Sequence, residues 1–216
     1  MPKKLVVFAS GEGTNFQAII NAILQGDLNV SISALVTDRK QCGAISRAQR
    51  SGIPVHVIRQ KRGSLDAFTD SLLNLLNSME PDLIVLAGYL TILPDKIIEA
   101  YRYKIVNIHP SLLPCFGGIG MFGMKVHEAV INSGAKFSGC TVHFVDTTVD
   151  GGPIIGQAIV EIDDDDTPES LAEKIHAEEH VLLVRCIGEI LERRFEVRGK
   201  RVVFFNKTSE NGDGKL

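Results

Sequence analysis

The chain has 216 residues, 23 Lys and Arg against 26 Asp and Glu for a formal net charge of −3, and 44% hydrophobic residues. That size and balance describe a globular domain that buries a full core without disulfide or metal staples. They exclude the basic stripe that binding to phosphate backbones requires, so neither nucleic acid nor an anionic membrane is an expected partner.

The chain opens on Leu5 to Ala9, a continuous apolar run with β-branched residues that reads as a strand buried on both faces. Phe16, Ile19, Ile20, Ile23 and Leu24 then fall on one stripe of a helix, which Gly26 closes. The alternation continues through a strand at Val30 to Thr37, a helix near Ala44 to Arg50, a strand at Val55 to Ile58, a helix from about Leu65 to Ser78 and a strand at Leu83 to Ala87. This order implies an α/β fold, a doubly wound and mostly parallel sheet flanked by helices. After Ala87 the rhythm loosens. Ile105 to His109 reads as a strand, Met124 to Asn132 as a helix, and Gly139 to Val145 and Ile154 to Ile162 as strands that are edge or antiparallel. A long helix runs from about Pro168 to Arg194, capped by Asp166 or Thr167, and a hairpin-like end follows. With no internal repeat or linker, residues 1–205 form one domain, and the polar tail at 206–216 is expected to be disordered.

Cys42, Cys115, Cys140 and Cys186 form no Cys-x-x-Cys pair, which suits a reducing compartment and excludes a cysteine-rich zinc site. The longest stretch without Asp, Glu, Lys or Arg, Ile105 to Met124, is broken by Pro110, Pro114 and four glycines and cannot be a membrane helix. The apolar run after Lys3 and Lys4 is too short for a signal peptide. A cytoplasmic protein is expected.

Between the first strand and helix lies Ser10-Gly11-Glu12-Gly13-Thr14-Asn15. Its glycines allow close backbone approach, and the free amides of the helix N-terminus favour a phosphate. Phe16 stands where the dinucleotide fingerprint needs a small residue, so NAD is not expected. The competing reading is an ordinary strand-to-helix turn.

In Val106-Asn107-Ile108-His109-Pro110, strand alternation puts Asn107 and His109 on one face while Val106 and Ile108 face the core. The pair stands at the carboxyl end of a strand, where open α/β sheets place ligands. A non-titrating amide can hold an oxyanion at any pH, and an imidazole can move a proton near neutrality, a pairing that suits acyl transfer. Asp150 in Asp150-Gly151-Gly152-Pro153 is the candidate carboxylate to orient the ring, although the tetrad is also strong turn chemistry. His143 alternates with apolar neighbours and is equally a structural or a catalytic histidine. No Gly-x-Ser-x-Gly occurs, so a covalent acyl-enzyme is not expected. His176-Ala177-Glu178-Glu179-His180 matches an inverted zinc-peptidase pattern, but few residues remain downstream to supply a third ligand, and no metal is expected. Asp163 to Asp166 precede a helix N-terminus, whose dipole favours them.

Ser-Gly-x-Gly-Thr-Asn at 10–15, Ala-Gly-Tyr-Leu at 87–90, Asn-Ile-His-Pro-Ser-Leu-Leu-Pro at 107–114 and Asp-Gly-Gly-Pro-Ile-Ile at 150–155 occur in order. Through them the chain, from about residue 4 to 195, resembles the glycinamide ribonucleotide formyltransferase family, among the folate-dependent formyltransferases. The resemblance implies a Rossmann-like formyltransferase fold with antiparallel strands toward the C-terminus, a phosphate-binding half at 1–100 and a folate-binding, catalytic half at 101–205. It implies transfer of a formyl group from 10-formyltetrahydrofolate to the amine of phosphoribosylglycinamide in purine biosynthesis, with small molecules as the only partners of a monomer or homodimer. It assigns catalysis to Asn107, His109 and Asp150, the substrate to Gly13, Thr14, Asn15, His176 and Glu179, and the folate pocket to Leu90, Thr91, Ile92, Leu93, Asn107, Asp146 and Asp150. Thr91 and Leu65 depart from the basic residues that relatives carry there. The rival readings are a formyltransferase acting on an amino sugar nucleotide, a formyltetrahydrofolate hydrolase and a non-catalytic phosphoribosyl-binding module.

Overall fold

The computed structural model describes residues 2–61 and 63–205. The tail expected to be disordered lies outside the described residues. The first half alternates β1 (Lys3–Phe8), α1 (Thr14–Gln25), β2 (Val30–Thr37), α2 (Gly43–Arg50), β3 (Val55–Val57), α3 (Leu65–Met79), β4 (Leu83–Leu86), α4 (Asp95–Ala100) and β5 (Ile105–His109). The second half adds α5 (Met124–Asn132), β6 (Phe137–Phe144), β7 (Ile154–Glu161), α6 (Pro168–Glu192), β8 (Phe195–Arg198) and β9 (Arg201–Phe204). One sheet takes the order β3-β2-β1-β4-β5-β6-β7-β9-β8, parallel from β3 to β5, with β6 antiparallel to both its neighbours.

Alternation along each inner strand splits the core into two layers. Leu5, Val7, Ala9, Leu83, Val85, Val106 and Ile108 pack toward α1, α5 and α6, whereas Val6, Phe8, Ile84, Leu86 and Ile105 pack with Phe68, Leu72, Leu76 and Ile97 of α3 and α4. Every β1 residue from Leu5 to Phe8 is fully buried, which is why that segment shows no polar alternation in sequence. Asn107 and His109 share the face of Ile105, beyond the end of the second layer.

Local chemistry explains most boundaries. Gly26 ends α1 in a left-handed conformation at φ 85°, donating to the Ala22 and Ile23 carbonyls. Thr167 caps α6 in a reciprocal capping box with Ser170, and Pro168 occupies the first turn. The helix stops at Glu192 because Arg193 is already extended. Of the C-terminal strands expected to be edge or antiparallel, β6 and β7 are antiparallel and interior, and the β8–β9 hairpin forms the rim. The short helix α4 has no counterpart in the sequence reading: six residues carry too few turns to show a period, and only Ile97 and Ile98 mark its buried side.

The sheet reverses its order between β1 and β4, and the loops leaving these two strands are tied across that switch point. The Ser10 N–H donates to the Gly88 carbonyl at 3.0 Å, and the Leu90 N–H donates to Ser10 Oγ at 3.0 Å. Crevices at such reversals bind ligands because both loops open away from each other there.

The return from β6 to β7 is close-packed at Gly152, where an added Cβ would sit 1.7 Å from the Phe144 carbonyl oxygen. Gly152→Ala must therefore displace the turn that carries Asp150. It is expected to cost about 1–3 kcal/mol of stability, read as a lowered urea midpoint with unchanged slope; a midpoint equal to that of the parent protein would contradict the packing described.

Candidate active site

At the crevice, Gly13 precedes α1 in a left-handed conformation at φ 74°, and no side chain caps the helix. A Cβ on Gly13 would stand 2.8 Å from Ala44 Cα, so glycine serves the approach of α2 as well as that of a ligand. The first amides of α1 are left open to an anion. Phe16 is fully buried in the core behind them. Arg47 of α2 donates to the Glu12 carbonyl at 2.8 Å and to Gln17 Oε1 at 3.2 Å, bracing the loop.

Asn15 Nδ2 donates to Glu179 Oε2 at 3.0 Å, joining this loop to α6. Glu179 is 4% exposed, and burial raises its carboxyl above the ordinary range against the opposing effects of Asn15 and His176. His176 Nε2 lies 4.0 Å from Glu179 Oε2 at the solvent edge. The structure thus brings together Gly13, Thr14, Asn15, His176 and Glu179. His127 of α5, unmarked in the sequence, stands edge-on to His176 with ring centroids 6.4 Å apart. Its Nδ1 is sealed from solvent without a partner among the described residues.

The second cluster lies at the β5–β6 pairing. Asn107 is directly opposite His143, and His109 opposite Thr141. Thr141 Oγ1 donates to the Ser111 carbonyl at 2.6 Å and accepts from the Leu113 N–H at 3.1 Å, anchoring the chain that leaves β5. Asp150, at φ 55° in the turn before β7, points Oδ2 to 3.6 Å from His109 Nδ1 and Oδ1 to 3.7 Å from His143 Nε2. The Gly118 N–H donates to Asp150 Oδ2 at 2.9 Å. Asn107 Nδ2 is 3.2 Å from His143 Nε2. Asn107, His109 and Asp150 therefore converge, and His143 touches two of them. The alternation of His143 with apolar neighbours could not reveal this, because the β5–β6 register is a tertiary fact.

His109 Nε2 donates to the Phe116 carbonyl at 2.9 Å, while Nδ1 faces the Asp150 carboxylate. The Phe116 carbonyl takes the Nε2 hydrogen, and the Asp150 carboxylate at 3.6 Å stands beside Nδ1 as a counter-charge that favours the protonated ring. Burial pushes the ring below the ordinary histidine value, and Asp150 and the Phe116 carbonyl pull against it. The result is a site that accommodates a proton on His109 and holds it loosely, as a proton donor requires. Burial also acts to raise the Asp150 carboxyl, but His143, His109 and the Gly118 amide outweigh it and keep the group below the usual carboxylate range.

The residues implied for folate are unevenly presented. Leu90 and Ile92 are exposed apolar side chains beside the crevice, and Thr91 donates to Asp38 Oδ2 at 2.8 Å. Leu93 is buried in the second core layer, and Asp146 is held by Lys200 at 2.8 Å and by the Thr148 N–H at 2.9 Å. Leu93 thus offers little beyond its backbone to a ligand, and Asp146 serves first to order the loop that ends at Asp150. Among the described residues, no group of three or more His, Cys, Asp or Glu side chains is placed to hold a metal ion, and no helix is long and apolar enough to cross a membrane.

Residues 3–187 match the model of the formyl transferase family. The chain belongs to that family. It is 44% identical over 198 residues to a chloroplastic phosphoribosylglycinamide formyltransferase of Arabidopsis thaliana, covering 91% of this chain and 68% of the relative. It is 40% identical over 190 residues to the phosphoribosylglycinamide formyltransferase of Bacillus subtilis, covering 88% of this chain and 95% of the other. The crystal structure of glycinamide ribonucleotide transformylase 1 from Symbiobacterium toebii superposes with a TM-score of 0.88 at 35% identity, covering 95% of each chain. The formyltransferase family draws on a folate-derived formyl donor, and the arrangement above is the formyltransferase fold.

Burial, with His176 and His109 adding to it, pushes His127 down to about 4. Between pH 6.5 and about 4 the unfolded chain binds this proton and the native one does not, so stability falls as pH drops through that window and the loss levels off below it. His127→Gln is expected to reduce the drop in urea midpoint between pH 7 and pH 5. An unchanged drop would show that other groups control the acid limb.

Proposed function

We propose that Asn107, His109 and Asp150 transfer a formyl group from 10-formyltetrahydrofolate to the amine of phosphoribosylglycinamide, a one-carbon step of purine biosynthesis. The neutral amine attacks the formyl carbon. Negative charge gathers on the formyl oxygen, where an Asn107 N–H receives it and the positive charge of the nearby His109 ring offsets it. The proton of the attacking nitrogen passes to N10 of the folate, the carbon–N10 bond breaks, and formylated product and tetrahydrofolate leave. Asp150 keeps the His109 ring oriented and offsets the burial that opposes its charge.

The observation that carries this reading is the meeting of an amide, an imidazole and a carboxylate at one end of β5, where a carbonyl oxygen could be gripped without a nucleophilic side chain. The open amides at Gly13, Thr14 and Asn15 suit the substrate phosphate, and His176 and Glu179 lie where its ribose and glycinamide would follow. Leu90, Ile92 and the backbone of Thr91 and Leu93 suit the folate ring system, with Asn107, Asp146 and Asp150 closing the far side. The four unpaired cysteines fit a reducing compartment such as the cytoplasm.

An absorbance assay of 10-formyltetrahydrofolate consumption with phosphoribosylglycinamide, an amino sugar nucleotide or water alone as acceptor tests the assignment. Consumption is expected only with phosphoribosylglycinamide, and initial-rate lines are expected to intersect, because alignment of two bound substrates supplies much of the rate. Parallel lines would indicate a covalent intermediate. Turnover with water alone would indicate a hydrolase, and phosphate-dependent binding without consumption a binding module.

A further inference from the structure

We propose that His143 is a positioning residue for the transfer: its tautomer fixes the direction of the Asn107 amide, so that Asn107 meets the formyl oxygen as a donor. The inference rests on the formyl-transfer reading above.

His143 Nδ1 lies 2.9 Å from the Phe144 carbonyl oxygen. A carbonyl can only accept, so Nδ1 carries the hydrogen, and in the neutral ring Nε2 is left as a bare acceptor. Asn107 Nδ2, at 3.2 Å, is the donor that meets it. Asp150 Oδ1, 3.7 Å from the same Nε2, has no hydrogen to give and attracts only a charged His143 ring, so beside the neutral ring Asn107 is the donor within reach. Turned the other way, the Asn107 amide would set its carbonyl oxygen against the Nε2 lone pair beside a side chain that is only 3% exposed. The opposite tautomer would set a bare Nδ1 against the Phe144 carbonyl.

With the His143 ring neutral, one arrangement gives every donor an acceptor. In it, one N–H of Asn107 is spent on His143 and the other remains for the developing oxyanion. A flipped amide would present oxygen to oxygen in the transition state and remove the stabilisation it is there to give. The direct cross-strand pairing of Asn107 with His143 makes the contact a property of the sheet and not of a mobile loop.

The experiment measures kcat and KM in the full chain for His143→Gln, His143→Asn, His143→Leu, Asn107→Ala and the double variant Asn107→Ala/His143→Asn. Glutamine can place its amide oxygen near the former Nε2, whereas asparagine reaches only the Nδ1 side and leaves Asn107 without an acceptor. His143→Asn and His143→Leu are expected to lose about 10²-fold or more in kcat with little change in either KM. His143→Gln is expected to keep most of it, and the double variant to be no slower than Asn107→Ala. If the leucine variant does not fold, the polar asparagine variant carries the test. Near-parental kcat in His143→Asn, equal losses in the asparagine and glutamine variants, or losses that multiply in the double variant would overturn the proposal. A parent protein that transfers no formyl group would instead overturn the reading beneath it.

Discussion

A carboxylate in a left-handed turn is held within 4 Å of two buried imidazoles, and the site exists only because β6 runs antiparallel to β5 and returns through that turn. The register sets Phe144 beside Val106, so β6 leaves at the amino end of β5, and the segment 145–153 brings Asp150 back to the side chains of His109 and His143. The reversal costs the fold its α/β regularity after β5. The loop after β6 brings Asp150, some forty positions downstream, to the His109 side chain, beside the crevice that the parallel half of the sheet opens.

The electrostatics follow from that geometry. Burial alone would make both His109 and Asp150 neutral, which suits neither role. Placed together they oppose each other's desolvation: the carboxylate stays ionised and the imidazole can take a proton although its surroundings disfavour one. The second acceptor at His109, the Phe116 carbonyl, comes from the chain that Thr141 and Ser111 tie to β6. The catalytic ring, its counter-charge and the segment that covers it are thus ordered by one pair of strands.

Much of this was legible in the residues. The buried run at Leu5 to Ala9, the stripe from Phe16 to Leu24 and the glycine-rich turn between them specify the first βα unit, and the alternation in Val106 to His109 separates core from site. What stayed hidden is tertiary. His143 reads as an ordinary strand histidine until the register sets it opposite Asn107, and α4 is too short to display a period. His127 lies on a helix face whose sequence gives no sign that it faces His176. Leu93 belongs to a motif implied to grip folate, yet the second core layer claims its side chain.

The central claim is that the Asn107, His109 and Asp150 constellation performs the chemistry while other parts of the chain only bind. Single-turnover formyl transfer, with both substrates bound in excess of their dissociation constants, measures that step alone. His109→Ala and Asp150→Asn are each expected to slow it by about 10²-fold or more while binding of phosphoribosylglycinamide and the thermal midpoint stay close to those of the parent. Transfer at near-parental rates in both variants would contradict the account.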